Sequence, residues 1–409
     1  MFRVIAVEPK YLSARSNWIE ASPLALIVSK IATLKAKGIS VLSLAAGDPD
    51  PSLIPREELA DIAYDVLKNI PASILYTPTA GIFELRKEIS RLTEKYDKIK
   101  VDPQNIVVSS GSTIAIDLLI RILLDPGDIV IVENPTYINT LYALKQHGIQ
   151  VIGVFMDSNG MKIDELEDTV KKLLSQGKKI KLIYTIPTGQ NPSGITMSLN
   201  RRKHLLEIAS QYDILILEDL AYNYIFYEEP PPTIKSMDDE GRVIAVGTLS
   251  KAMGTGFRIG WIIASETITK KVIEMKQPID FCAPAISQYI ALEYLRRGLF
   301  EKYHLKVLRA YKEKRDILIK SLETHLPKAL FTRPSAGMFL MLYLPEDADG
   351  QEFAEKLLDK YHVAVVPAGP FHPNKDHPNT LRLNFSRPSV KDIEEAVNRL
   401  AKLYHELYH

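Results

Sequence analysis

The residues of this 409-residue chain best suited to chemistry gather around one lysine. In the run Gly247-Thr248-Leu249-Ser250-Lys251-Ala252-Met253-Gly254-Thr255-Gly256-Phe257-Arg258-Ile259-Gly260-Trp261, Lys251 follows a β-rich stretch, Arg242 to Val246. Thr248 and Ser250 precede it closely and Arg258 follows seven residues on. An amine at the end of a buried strand can form a Schiff base with an aldehyde, while hydroxyls and a guanidinium supply donors and a fixed positive charge for a dianion. That set suits an aldehyde cofactor carrying a phosphate. An ordinary surface lysine in a glycine-rich turn is the plainer alternative, because Ser-Lys pairs are common. The remaining candidates decide between the two.

The run Ile214-Leu215-Ile216-Leu217-Glu218-Asp219 ends in acid, with Tyr222 three residues on. An aspartate there can pair with a pyridinium nitrogen and keep the ring able to accept electrons; it can also cap the next helix. Tyr222 and Asn191 can hydrogen-bond a phenolic ring oxygen and stabilise its ionised form. Asn191 lies in Pro187-Thr188-Gly189-Gln190-Asn191-Pro192-Ser193-Gly194, where prolines and glycines also read as a plain rigid turn. Ser109-Ser110-Gly111-Ser112-Thr113 joins a strand, Ile106 to Val108, to a helix from Ile114, so the amides at Ser112 and Thr113 suit a phosphate as well as an N-cap. Tyr137, after Val132-Glu133-Asn134-Pro135-Thr136, is placed to lay its ring on a planar cofactor.

Positioning these residues requires a sheet. Asn105–Val108, Ile129–Val132, Val151–Val154, Lys181–Thr185, Ile214–Leu217, Val243–Val246 and Ile259–Ile263 read as strands, most of them continuously apolar as in a sheet covered by helices on both faces. The fold class expected is α/β, with a mainly parallel seven-stranded sheet in a large domain, 55–295. Functional residues should gather at the carboxyl ends of such strands. The tail reads as α+β: a long charged helix, Leu299 to Glu323, strands at Phe339–Tyr343, Val363–Val366 and Leu381–Asn384, and a closing amphipathic helix. With the N-terminal segment, 1–54, residues 296–409 are expected to form a smaller domain. Ser22-Pro23 reads as N-cap and first residue of a helix to about Ala36, and Ala46 to Pro51 as a linker.

Composition narrows the partners. Hydrophobic residues at 46% and charged residues at 25% fit a folded soluble protein, and a net charge of +1 with interspersed signs argues against nucleic acid or a polybasic membrane patch. One cysteine, Cys282, excludes an internal disulfide and a cysteine-based zinc site, and the histidines lack ligand spacing, so no metal is expected. Met1 to Ile5 shows no signal-peptide pattern, and the longest apolar stretch, Ile114 to Leu124, is broken by Asp117 and Arg121. A cytoplasmic protein acting on a small molecule is the expectation.

Taken in order, Ser112/Thr113, Tyr137, Asn191, Asp219, Tyr222, Lys251, Arg258 and Arg382 resemble the site of the pyridoxal-phosphate-dependent fold type I aminotransferases, class I/II. The resemblance spans nearly the whole chain and is greatest to the subgroup holding the 2-aminoadipate, kynurenine and archaeal multisubstrate and aromatic aminotransferases. It implies Lys251 as the Schiff-base lysine and Thr248, Ser250, Arg258, Ser112 and Thr113 as holders of the phosphate. Asp219 would face the pyridine nitrogen, Tyr222 and Asn191 the O3′ oxygen, and Tyr137 would stack on the ring. Arg382, in Thr380-Leu381-Arg382-Leu383-Asn384-Phe385, matches the arginine that holds the substrate α-carboxylate by a two-pronged fork. Gly47 matches a glycine beside the substrate, and Tyr76 a tyrosine that reaches the phosphate of the neighbouring subunit, which implies a homodimer.

The activity so implied moves an amino group from an amino acid to a 2-oxo acid such as 2-oxoglutarate by a ping-pong mechanism. Among donors, aromatic, large apolar and 2-aminoadipate side chains are in view. The family's aminoadipate enzymes have an arginine on the N-terminal helix where Ala25 aligns here, which tilts the reading towards apolar or aromatic donors, with Arg15 able to offer charge from another direction. A fold type I lyase or decarboxylase, or a non-catalytic ligand-binding relative, would keep much of the same site. A fused DNA-binding regulator would need a basic domain ahead of it. A dinucleotide fingerprint is missed by one residue at Gly260.

Overall fold

The computed structural model describes residues 11–18, 23–374 and 376–408. Met1 to Ile5 and Ser22, read above as lacking a signal pattern and as an N-cap, lie outside the described residues.

Alternate residues of the apolar runs face opposite ways, so one run feeds two hydrophobic layers. Val107, Val130, Val132, Leu182, Tyr184, Leu217, Ile244, Val246 and Ile262 pack into one cluster with the helix Ser112–Leu123. On the other face, Ile129, Ile131, Ile183 and Ile216 pack with Leu166, Val170 and Leu205 of the helices Ile163–Ser175 and Leu199–Gln211, while Ile106, Val108 and Ile263 meet Leu59, Ile62 and Leu85. Burial on both faces explains why Val243–Thr248 and Ile129–Asn134 are buried from end to end.

The sheet that results has eight strands, in the order Ile106–Ser109, Gly260–Ile263, Val243–Thr248, Leu215–Asp219, Ile180–Thr185, Ile129–Asn134, Gln150–Asp157, Gly160–Met161. The five from Val243–Thr248 to Gln150–Asp157 are joined by parallel pairings. Gly260–Ile263 runs antiparallel to both neighbours. Seven strands were expected; the eighth, Gly160–Met161, folds back on Met156 and Asp157 and is too short to show a periodic signal. Because Gly260–Ile263 is reversed between two strands of the same sense, Ser109, Thr248, Asp219, Thr185 and Asn134 all end at one edge of the sheet.

A second, antiparallel sheet runs Leu330–Phe331, Phe339–Tyr343, Thr380–Asn384, Val366–Pro367. Its helices Leu299–His325 and Val390–Tyr408 pack on each other. The stretch expected as one strand over Val363–Val366 divides: Val363–Ala364 pairs in parallel with Leu42–Ser43, and Val366–Pro367 joins the antiparallel sheet. The N-terminal helix is Pro23–Ala36.

Candidate active site

The common edge brings five strand ends together. Asp219, the last residue of its strand and 3% exposed, accepts the Tyr184 hydroxyl at 2.9 Å on one oxygen and the Ala221 amide at 3.0 Å on the other. Burial raises its pKa to about 6, held back by those two donors. Lys251 lines the same cavity, with its ammonium bonded to the Gly47 carbonyl at 2.8 Å and 5.9 Å from the centre of the Tyr222 ring. Burial brings the lysine down to about 8, with the nearby Asp48 opposing that fall. A buried amine with a pKa near neutrality is a competent nucleophile and base.

Asn191 is the hub of the set. Its Nδ2 donates to the Tyr222 hydroxyl at 3.1 Å and its Oδ1 accepts Arg382 Nη1 at 3.2 Å. Burial pushes the Tyr222 phenol above its ordinary range, so it stays protonated. Arg382, in the Thr380–Asn384 strand and 2% exposed, lies 4.3 Å from the Phe339 ring centre and 5.3 Å from that of Phe371. Its Nη2 donates to the Ala45 carbonyl at 3.0 Å, while its buried Nε has no partner. An orphaned guanidinium donor flanked by aromatic faces is a seat for an incoming anion.

At the opposite end, Arg258 has a left-handed backbone, φ 55°, rare for a residue with a side chain. Its Nη2 donates to the Ser110 carbonyl at 3.3 Å and its Nη1 to that of Thr255 at 3.2 Å. A Cβ added at Gly111 would lie 2.3 Å from Nη2, so this crossing of guanidinium over backbone requires glycine. Gly111, φ 89°, also opens the helix beginning at Ser112. The Thr248 hydroxyl donates to the Ile259 carbonyl at 2.8 Å and accepts the Ser250 amide at 3.0 Å. Ser112, Thr113, Tyr137, Asp219, Tyr222, Thr248, Ser250, Lys251 and Arg258 line one small cavity of about 90 Å³.

A larger cavity of about 680 Å³ adjoins it and shares Tyr137, Tyr222 and Lys251. Gly47, Asn191 and Arg382 line it, and Ile27, Val28, Ile31, Val41 and Phe339 give it an apolar wall. A Cβ at Gly47 would meet only Phe339, at 3.5 Å, so protein packing leaves room there and the space belongs to the cavity. Three residues stand apart. Tyr76 is 84% exposed, with its ring against Phe281 at 5.1 Å, and lines neither cavity; Ala25 and Arg15 are exposed and line neither.

Residues 39–400 match the family model for aminotransferase class I and II. This chain belongs to the class I and II aminotransferases. An aromatic-amino-acid aminotransferase from Thermococcus litoralis is 40% identical over 97% of this chain and 94% of its own length. Among solved structures, an archaeal alanine:glyoxylate aminotransferase is 58% identical with a TM-score of 0.96, covering 98% of this chain and 99% of that one. A Pyrococcus horikoshii kynurenine aminotransferase, solved with PMP and with its substrate and product, is 37% identical with a TM-score of 0.92, covering 98% of each chain.

The aminotransferase depends on pyridoxal phosphate, and the cavity fits it. Hydroxyls, helix-opening amides and Arg258 at one end suit a phosphate, and Asp219 at the other suits a ring nitrogen. Three supporting residues were absent from the sequence reading. Tyr184 presents its hydroxyl to Asp219, and only its place one residue before the end of a parallel strand hints at this. Glu133, fully buried and raised to about 7 by burial, accepts from Thr185 at 2.6 Å, the Ile186 amide at 3.1 Å and Gln190 at 3.3 Å. Arg202, 0% exposed, binds the carbonyls of Pro187 and Met197 and the Thr188 hydroxyl. Glu133 and Arg202 together clamp the loop that presents Asn191.

Proposed function

We propose that this aminotransferase takes amino acids with apolar or aromatic side chains as donors and passes the amino group to a 2-oxo acid such as 2-oxoglutarate in two successive half-reactions. The observation that supports this reading best is the apolar wall of Ile27, Val28, Ile31, Val41 and Phe339 beyond Arg382. The orphaned Arg382 Nε would hold the α-carboxylate, and the wall would receive the side chain. Lys35 and Arg387 also line the cavity, so a 2-aminoadipate carboxylate would have to reach one of them to offset its burial against this wall.

Pyridoxal phosphate, when bound, supplies an aldehyde for the donor's amine and a ring that withdraws electrons from its α-carbon. Lys251 Nζ, released from the Gly47 carbonyl, takes the α-proton as general base; its pKa of about 8 leaves a usable neutral fraction near pH 7.5. Asp219, its carboxylate steadied by the Tyr184 and Ala221 donors, would keep a proton on the ring nitrogen. Ser112, Thr113, Thr248, Ser250 and Arg258 would hold the phosphate, Tyr222 and Asn191 the phenolic oxygen, and Tyr137 the ring face.

The wider assembly belongs to the same proposal. The parallel pairing of Leu42–Ser43 with Val363–Ala364 supports a small domain made of residues 1–54 and 296–409 beside a large one, 55–295. Tyr76, Ile74 and Leu75 are exposed beside Phe281, an apolar face suited to a second copy of the chain, with Tyr76 crossing to the partner's phosphate. Among the described residues no helix is long and apolar enough to cross a membrane, and a cytoplasmic dimer is the state proposed.

The test is a visible spectrum of the purified holoenzyme mixed in single turnover with phenylalanine, leucine, alanine and 2-aminoadipate. Rapid bleaching by the first two and slow bleaching by 2-aminoadipate is expected; preference for 2-aminoadipate would overturn the donor assignment. A second reading, alanine as donor and glyoxylate as acceptor, is favoured by the 58% identity to an enzyme of that name. It predicts that alanine leads the same panel.

A further inference from the structure

We propose that Asp280, paired with the buried Lys276, is a positioning residue for the phosphate end of the site and ties that end to the exposed face carrying Tyr76 and Phe281. This rests on the reading that Arg258 and the Ser112–Thr113 amides hold the phosphate.

Lys276 is the last residue of the helix Glu266–Lys276 and is 0% exposed. Its ammonium bonds Asp280 Oδ1, and Asp280 Oδ2 accepts the Ser110 hydroxyl at 3.2 Å. The carbonyl of that same Ser110 accepts Arg258 Nη2 at 3.3 Å. A chain of contacts therefore runs from a buried lysine, through Asp280 and Ser110, to the guanidinium over Gly111. Ser110 is also the residue whose backbone leads into Gly111 and the helix-opening amides, so its orientation sets theirs.

The pair is not needed to finish its own helix. The amides of Ile279, Asp280 and Phe281 all donate to the Lys276 carbonyl, at 3.1, 3.1 and 3.2 Å, so the backbone closes that end. A carboxylate just past a helix C-terminus opposes the helix dipole, and a buried ion pair adds little over apolar replacements of similar size. What Asp280 adds is direction: a fixed acceptor for Ser110. The next residue, Phe281, has a left-handed φ of 59° and turns its ring against Tyr76 at 5.1 Å. One short turn thus presents a carboxylate to the phosphate cradle and an aromatic ring to the exposed face. A contact that settles Phe281 and Tyr76 settles Ser110 with them.

The experiment follows release of pyridoxal phosphate from the diluted holoenzyme by its visible absorbance, for Asp280→Asn, Ser110→Ala, the paired replacement Lys276→Met/Asp280→Leu, and Arg258→Gln as reference. Asp280→Asn and Ser110→Ala should each release cofactor about tenfold faster, the worth of one hydrogen bond to a charged group. Their kcat at saturating cofactor should stay that of the parent, and the two together should be no faster than either alone. Lys276→Met/Asp280→Leu leaves no buried charge unpaired and should also release faster, which covers the case in which Asp280→Asn fails to fold. If Arg258→Gln speeds release while the other three stay within about twofold of the parent, the proposal is overturned alone. If Arg258→Gln also releases at the parent rate, the phosphate reading beneath it fails and takes the proposal with it.

Discussion

At the floor of the site, Asp219 spends both oxygens on Tyr184 and Ala221, and Asn191 spends both ends of its amide on Tyr222 and Arg382. At the outer wall, Ile27, Val28, Ile31 and Val41 offer only aliphatic surface, from the N-terminal helix and the segment that follows it. The floor stands on the ends of buried strands and the wall on a half-exposed helix. Polar groups that satisfy one another fix geometry, whereas apolar contact is non-directional and tolerates exchange. The floor should therefore serve every substrate alike, and the wall should set which donor is preferred.

The largest expected effect comes from the floor. Lys251→Ala should reduce the half-reaction about 10⁴-fold or more for every donor while cofactor still binds, as stopped-flow bleaching will report. A variant turning over at a normal rate would falsify the assignment. Arg382→Lys keeps the charge but loses the planar fork, and kcat/KM should fall about 100-fold for phenylalanine, leucine and alanine alike. If only one donor suffers, Arg382 belongs to the wall and the comparison collapses.

A smaller effect is expected one layer below. The Tyr184 hydroxyl lowers the pKa of Asp219, which burial raises to about 6. Tyr184→Phe removes that donor, so the aspartate should protonate at higher pH. If the ionised form of Asp219 holds the ring nitrogen, the acid limb of the kcat/KM profile should move upward, with the loss growing as pH falls and little change at pH 8.5. An acid limb that stays put would show that Asp219 does not govern it. The smallest effect belongs to the wall: Val28→Arg should leave kcat for leucine nearly intact yet improve kcat/KM for 2-aminoadipate by up to about fivefold, as an exposed ion pair allows.

The same contrast explains what the sequence made legible. Continuous apolar runs ending in Asp219, Thr248 and Asn134 reveal a parallel sheet and its functional edge, because burial on both faces removes polar residues from the strand and leaves them at its end. Lys251, Arg258 and Asn191 stand out because their chemistry is written in their immediate neighbours. Tyr184, Glu133 and Arg202 do not, since their partners lie on other strands and loops, and a polar residue inside a strand resembles any other until the pairing is known. Gly160–Met161 escaped for want of length, and the division at Val365 because its two halves pair with different neighbours. The donor wall is less legible still, as Ile27 and Ile31 on a helix look like any core face.

The sharing of Asn191 between Tyr222 and Arg382 also bears on handedness. If Arg382 holds the carboxylate and Tyr222 the ring oxygen, as proposed, the one amide joining them would pin the donor's carboxylate and its amine relative to each other. Its third substituent would then go to the apolar wall, and only one direction would be left for the α-hydrogen. Lys251 can reach that direction for one mirror form; the other would turn its side chain towards the lysine and its hydrogen to the wall. Enantiomer discrimination is in this way set by three fixed points, and changes in the wall should alter which side chains are accepted without altering which hand is.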